Sequence, residues 1–233
     1  MTQQETLTNG TIVCVNDIHR FGADAMLLSY FSNIRRNETV CELGSGCGII
    51  SLRLLDNGHK GICTAVEINA EASELLCQAI QINNCTNIKP VCADLKSYSS
   101  DIPCDAVICN PPYFKGGYKS VNDDKRTARH ETMCTIEDVC HTASRLLKDG
   151  GRLCVCQRPS RLADVICAMR NERIEPKVLR FVQQRESSEN PWLFLLQGQK
   201  NRASGLTMQK SLIVENDKGD FSDEIKAIYG IKY

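Results

Sequence analysis

Residues 39–55, TVCELGSGCGIISLRLL, limit the possible folds more than any other stretch of the chain. A short apolar run, Thr39 to Leu43, leads into three glycines at alternate positions, and an apolar stretch of helical character, Ile49 to Leu55, follows at once. That is a strand, a sharp turn and a helix, the opening of a strand–helix–strand unit. The alternation continues. Strands are expected at Ile62 to Ile68, Ile88 to Ala93, Ala106 to Cys109, Arg152 to Cys156, Val178 to Val182 and Trp192 to Gln197. Helices are expected at Ala70 to Ile82, from Thr135 to Leu146, and at Ser160 to Asn171. Thr135-Ile-Glu-Asp138 has the form of a capping box, and Leu146-Leu-Lys-Asp-Gly-Gly151 reads as a helix end leading into a strand.

Alternating elements predict an α/β fold: a mostly parallel sheet with helices on both faces. The last two strands have no helix between them, so they pair antiparallel. The expected body is seven-stranded and spans residues 39–200. An extension over 1–38 precedes it and packs near the ligand edge. A further extension over 201–233 carries a strand, Ser211 to Glu215, and a short capped helix, Ser222 to Tyr229.

Composition narrows the compartment. The chain has 233 residues, 42% of them apolar, with no run long enough to span a membrane. The start, MTQQETLTNG, lacks the basic-then-apolar pattern of a secretion signal, so a cytoplasmic protein is expected. Fourteen cysteines are many, yet most interrupt apolar runs, as in Leu-Cys154-Val-Cys156, where a small buried hydrophobe belongs. No C-x-x-C pair is present, and no metal is expected. Net charge is zero but uneven. Residues 1–114 hold 7 Lys/Arg against 12 Asp/Glu, and residues 115–185 hold 15 against 9. The basic block starts just after a Pro-Pro turn. It is either a solvated surface or a face for a polyanion.

The chemistry is carried by the ends of the first four strands. Gly44, Gly46 and Gly48 have G-x-G-x-G spacing, which is neither a dinucleotide fingerprint nor a P-loop. Such a turn lets a ligand approach the backbone, or it serves packing alone. Glu42 precedes it and suits a ligand carrying an ammonium or sulfonium. Glu67 ends the second strand, where a carboxylate can accept both hydroxyls of a ribose. Asp94 follows the third, placed for an adenine amino group. Each acid taken singly reads equally well as a cap or turn residue. Together they describe a site for an adenosine with a positively charged, carboxylate-bearing tail, S-adenosylmethionine. The fourth strand ends in CNPPYF, residues 109–114.

In this order, the glycine turn, two strand-end acids and Asn-Pro-Pro-Tyr resemble the class I, Rossmann-like S-adenosylmethionine-dependent methyltransferases that act on amino groups. CNPPYFK, ARHE, LLKDGGR, RPSRLADV, MRNERIEPK and DEIKAIYG resemble, over nearly the whole chain, the bacterial family that methylates N6 of adenosine 37 beside the anticodon of a valine tRNA. The resemblance implies S-adenosylmethionine as cofactor, with Ile68, Leu95 and Asn110 also beside it, and tRNA as partner. It implies neither a membrane nor an obligate protein partner. Within RFGADAMLL, Asp24 either covers the methionine end of the cofactor or caps the following helix.

An exocyclic amine on a purine is a poor nucleophile because its lone pair is delocalised into the ring. The Asn110 side-chain oxygen and the Pro111 carbonyl are two acceptors that would favour an sp³-like nitrogen. Pro111 and Pro112 fix the backbone direction. Tyr113 offers the base a stacking face, worth about 1–3 kcal/mol. Phe114 lines the same pocket or belongs to the core. Arg126, Arg129 and His130 meet phosphates or sit in a solvated loop. Asn-Pro-Pro-Tyr leaves other readings open: methylation of protein glutamine or of rRNA guanine N2, or a non-catalytic module that binds S-adenosylmethionine and RNA.

Overall fold

In a computed structural model, residues 2–111 and 134–231 are described. The alternating sequence folds into alternating elements. Strands β1 (Gln3–Thr6) and β2 (Ile12–Val15) form an antiparallel hairpin, followed by helix α1 (Ala23–Phe31). Then come β3 (Val40–Leu43), α2 (Ile49–Asp56), β4 (Cys63–Glu67), α3 (Ala70–Ile82), β5 (Ile88–Cys92) and β6 (Cys104–Cys109). The second half holds α4 (Ile136–Leu146), β7 (Leu147–Gln157), α5 (Leu162–Asn171), β8 (Ile174–Gln183) and β9 (Leu193–Lys200). Two short strands, β10 (Thr207–Met208) and β11 (Leu212–Ile213), and helix α6 (Asp223–Tyr229) close the described chain.

The central seven strands run β5-β4-β3-β6-β7-β9-β8. Every neighbouring pair among the first five is parallel. β9 is antiparallel to both β7 and β8, so one reversed strand lies inside the sheet. β10 and β11 add two parallel bridges to β8, widening the sheet to nine strands. Helices cover both faces, so the central strands are buried on both sides. Along β9 the side chains alternate: Leu193 and Leu195 enter one core, Phe194 and Leu196 the other. The same alternation on β3 sends Val40 to the first core and Cys41 and Leu43 to the second. Nine of the fourteen cysteines, all free thiols, are buried in these layers.

Thr135 caps α4 as its sequence predicts. Its hydroxyl accepts from Asp138 N at 3.2 Å, and the Asp138 carboxylate accepts from Thr135 N at 2.9 Å. Two local expectations differ. LKDGG is not a separate turn: β7 begins directly at Leu147, which pairs with Cys104 of β6. Ser160 does not cap α5. A single 3₁₀ turn, Pro159–Arg161, leads into it without a side-chain cap.

The N-terminal hairpin lies along α2 and α3. Asp56 at the end of α2 accepts from Asn9 N and Thr11 N, and Asn83 at the end of α3 accepts from Ile12 N at 2.8 Å. The loop after β2 reaches the first turn of α3, just past the carboxyl end of β4. There Asn16 donates to Glu71 at 2.7 Å. Among the described residues no helix is long and apolar enough to cross a membrane.

Candidate functional site

At the carboxyl ends of β3, β4, β5 and β6 lies a cleft of about 490 Å³. In open parallel sheets this edge, where the strand order reverses, is where ligands bind. Here the reversal lies between β3 and β6. The glycine turn forms the cleft's floor. Its first two amides, Gly44 N and Ser45 N, donate to Val66 O at 2.9 and 3.0 Å, which pins the turn to β4.

The three glycines do different work. All have positive φ, at 69°, 55° and 80°. A Cβ on Gly44 or Gly46 would meet nothing within 4 Å, and both residues line the cleft. A Cβ on Gly48 would lie 2.3 Å from the Leu76 side chain of α3. Gly48 therefore serves helix packing, and the first two glycines leave their backbone bare to the cleft.

The two glutamates divide in the same way. Glu67 lines the cleft at the end of β4. Its carboxylate accepts from Gly46 N and from Asn69 N, both at 2.8 Å. The Asn69 side chain in turn caps α3 through Ala72 N at 3.0 Å. The acid is thus held facing the glycine turn before any ligand arrives. Glu42 is absent from the cleft lining and only 2% exposed. Period-two alternation points it into the first core, beneath α2, where its carboxylate accepts from the Ser51 amide at 2.9 Å and from the Ser51 hydroxyl. Burial raises its pKa to about 7, against the lowering effect of those bonds.

Asp94 and Leu95 line the cleft beyond β5, with Ala93 and the exposed apolar side chain of Ile68. Asp94 also makes a local turn, accepting from Lys96 N at 2.9 Å. Asn110 and Pro111 stand at the far wall. Asp24 sits in the first turn of α1, accepts from its neighbour Ala25 N at 2.9 Å, and does not line the cleft. Pro112, Tyr113, Phe114, Arg126, Arg129 and His130 lie outside the described residues.

Sequence reading missed several groups in this cleft. His19 lines it from the loop after β2, 3.7 Å from Glu71 of α3. Cys109 and Cys134 line it from the opposite side, and burial pushes the Cys134 thiol up to about 11, so it is neutral. Cys156 on β7 donates its thiol to Asn110 Oδ1 at 3.1 Å. That bond orients the amide from the neighbouring strand. No sequence signal pairs positions 46 residues apart; the pairing follows from the register that sets Cys109 opposite Val155.

A bare glycine floor, an oriented carboxylate and apolar side walls suit a nucleoside. The carboxylate beside backbone amides suits its ribose, and Ile68 with Leu95 suits a flat base. The residues present therefore fit S-adenosylmethionine, the cofactor expected of class I methyltransferases.

Comparison with known proteins agrees with this geometry. A protein of Bacteroides fragilis (strain YCH46) named tRNA1(Val) (adenine(37)-N6)-methyltransferase is 26% identical over 140 residues, covering 58% of this chain and 59% of that one. A Proteus mirabilis protein of the same name is 23% identical over 215 residues, covering 89% of this chain and 84% of that one. The chain thus spans less than two thirds of the Bacteroides relative and most of the Proteus one. A solved structure described as a predicted O-methyltransferase from Agrobacterium tumefaciens superposes with a TM-score of 0.73 at 22% identity, covering 89% of this chain and 95% of that one. The Thermus thermophilus 16S rRNA N2 G1207 methyltransferase, in complex with AdoMet and guanosine, superposes at 0.59 with 13% identity, covering 86% of this chain and 50% of that one. Both likenesses establish the Rossmann-like fold of class I methyltransferases. Residues 20–169, more than half of the chain, match the family described as Methyltransferase small domain, and the chain belongs to that family.

Proposed function

We propose that the cleft binds S-adenosylmethionine and that the protein transfers its methyl group to N6 of an adenosine in tRNA, with position 37 of a valine tRNA as the target. The observation that carries this reading is the meeting of two features on one cleft: the open glycine turn with Glu67, and the amide of Asn110. The names of the Bacteroides and Proteus relatives supply the substrate.

In this reading Gly44 and Gly46 let the tail of the cofactor lie against the backbone. Glu67 accepts from the ribose hydroxyls. Two of its lone pairs are already taken by backbone amides, and a carboxylate has about four such sites, so room remains. Asp94 accepts from the adenine amine, with Ile68 and Leu95 against the ring. S-adenosylmethionine, when bound, supplies an electrophilic methyl group whose leaving group is a neutral thioether. The protein's part is to position the amine. Asn110 Oδ1 and the Pro111 carbonyl accept its two N–H groups, which favours a localised lone pair directed at the methyl carbon. Tyr113 stacks on the base, and Arg126, Arg129 and His130 meet phosphates. Glu42 acts at a distance, by supporting the turn from beneath.

The test is to incubate the purified protein with unmodified tRNA and methyl-labelled S-adenosylmethionine, then digest and identify the labelled nucleoside by mass spectrometry. N6-methyladenosine in valine tRNA is the expected product. Label in protein, in N2-methylguanosine or in nothing at all would overturn the proposal.

A further inference from the structure

The turn after β2 sets its side chains in an order that hydrophobicity alone would not choose. Ile18 is 73% exposed, while the next side chain, His19, is 18% exposed and lines the Glu67 cleft. A histidine inside and an isoleucine outside reverse the usual preference. The turn is closed and anchored. Asn16 Oδ1 accepts from Ile18 N at 2.9 Å and from His19 N at 2.6 Å, and Asn16 N donates to His19 O at 3.1 Å. The Glu71 carboxylate holds the turn to α3: Oε1 accepts from the Asn16 side-chain amide at 2.7 Å, and Oε2 lies 3.7 Å from His19 Nε2. Residues 16–19 thus form a hydrogen-bonded mount that keeps the imidazole in the cleft wall.

The ring's place and chemistry indicate what it meets. Among the oxygen- and nitrogen-bearing side chains that line the cleft, Glu67, Asp94 and Asn110 have parts in the reaction proposed above, and Asn69 caps α3. His19 has none. It lines the cleft together with Ala70 and Ala72, in the first turn of α3, the helix that opens just after Glu67 ends β4. That is the end of the cleft read as the sugar site. A carboxylate can only accept, so the nitrogen facing Glu71, Nε2, carries the proton. Nδ1 is then left as an acceptor for a hydroxyl.

A ribose brings two hydroxyl donors. Each Glu67 oxygen already takes one backbone amide, Oε2 from Gly46 and Oε1 from Asn69. We infer that His19 is a cofactor-binding residue that shares the ribose with Glu67, one hydroxyl donating to the carboxylate and the other to His19 Nδ1. This role rests on the reading of the cleft as the S-adenosylmethionine site, and it refines that reading by dividing the diol between two acceptors on different elements. The bound sugar then joins the turn after β2 to the end of β4, and the N-terminal hairpin takes part in the site through this one side chain.

Calorimetric titration separates a ligand contact from a structural one. S-adenosylhomocysteine and its 2′-deoxy and 3′-deoxy forms are titrated into wild-type protein, His19→Ala and His19→Asn, with an unfolding curve on each preparation. His19→Ala should bind S-adenosylhomocysteine about three- to tenfold more weakly, the loss expected for one neutral hydrogen bond. One of the two deoxy forms lacks the hydroxyl that His19 takes, so wild type and His19→Ala should bind that form equally and differ on the other. His19→Asn, whose amide oxygen can stand in for Nδ1, should restore most of the affinity. Equal losses on all three ligands would mean that His19 only supports the turn and would overturn the inference, as would wild-type affinity in His19→Ala. Wild-type protein that binds none of the three at millimolar concentration would instead overturn the reading of the cleft, and the role of His19 with it.

Discussion

The two sides of the glycine turn differ although the ten-residue segment CELGSGCGII supplies residues to both, joined on the outer side by Glu67 of β4. Below it, Glu42 and Gly48 are enclosed: the carboxyl holds Ser51, and the glycine gives way to Leu76. Above it, Gly44, Gly46 and Glu67 face open space. The residue types match on the two sides, so residue type does not decide the role; alternation along β3 and the approach of α3 do. The comparison teaches that an acid or glycine in such a turn is assigned by its neighbours across the sheet. Substitutions on the inner side should act on stability, and those on the outer side on ligand and rate.

The largest expected effect is on the outer side. Asn110→Ala should slow single-turnover methylation by about 100- to 1000-fold, roughly 3–4 kcal/mol, with cofactor affinity and unfolding midpoint unchanged. A rate within a few-fold of wild type would remove Asn110 from the chemistry. Next comes Glu42. Its pKa is raised in the folded protein from 4.5 to about 7, so the folded state binds the proton more tightly than the unfolded chain. This group's contribution is therefore complete below about pH 4.5 and is lost as pH rises to about 7, a fall of roughly 3 kcal/mol. Glu42→Gln should flatten that part of the stability profile, measured by urea unfolding between pH 4 and pH 8. An unaltered slope would mean that Glu42 titrates normally. Gly48→Ala combines a left-handed backbone with a clash at Leu76 and should cost about 2–4 kcal/mol of stability. Gly46→Ala, with no clash, should cost less but weaken the cofactor, and calorimetry on both variants would expose a reversed order. The smallest effect belongs to Cys156→Ala. It leaves Asn110 one bond short and should lower the rate about fivefold, for about 1 kcal/mol, with Cys156→Ser restoring most of it.

Much of the architecture was legible because the strands are buried on both faces and read as apolar runs between helical patterns. The hairpin β1–β2 was not. Its first strand, QQET, is wholly exposed and has no apolar period to detect. β10 was not legible either, being a two-residue strand that forms where β8 offers an edge, whereas β11, Leu212–Ile213, falls within the strand expected over Ser211 to Glu215. Within the site, Glu67, Asp94 and Asn110 were legible as polar residues at strand ends. The burial of Glu42 was hidden because it is one position before the end of β3, which turns it to the inner face. His19 and Cys156 enter through tertiary contact, to α3 and across β6–β7, and no local pattern marks either.

The contrast between the two glutamates gives the most direct test. Calorimetric titration of S-adenosylmethionine into wild-type protein and Glu67→Ala, with an unfolding curve on each preparation, measures the outer side alone. Removing a charged acceptor costs about 1.5–3 kcal/mol, so the variant should bind about ten- to a hundredfold more weakly while remaining folded. Wild-type affinity in a folded Glu67→Ala protein would contradict the assignment of this cleft as the cofactor site.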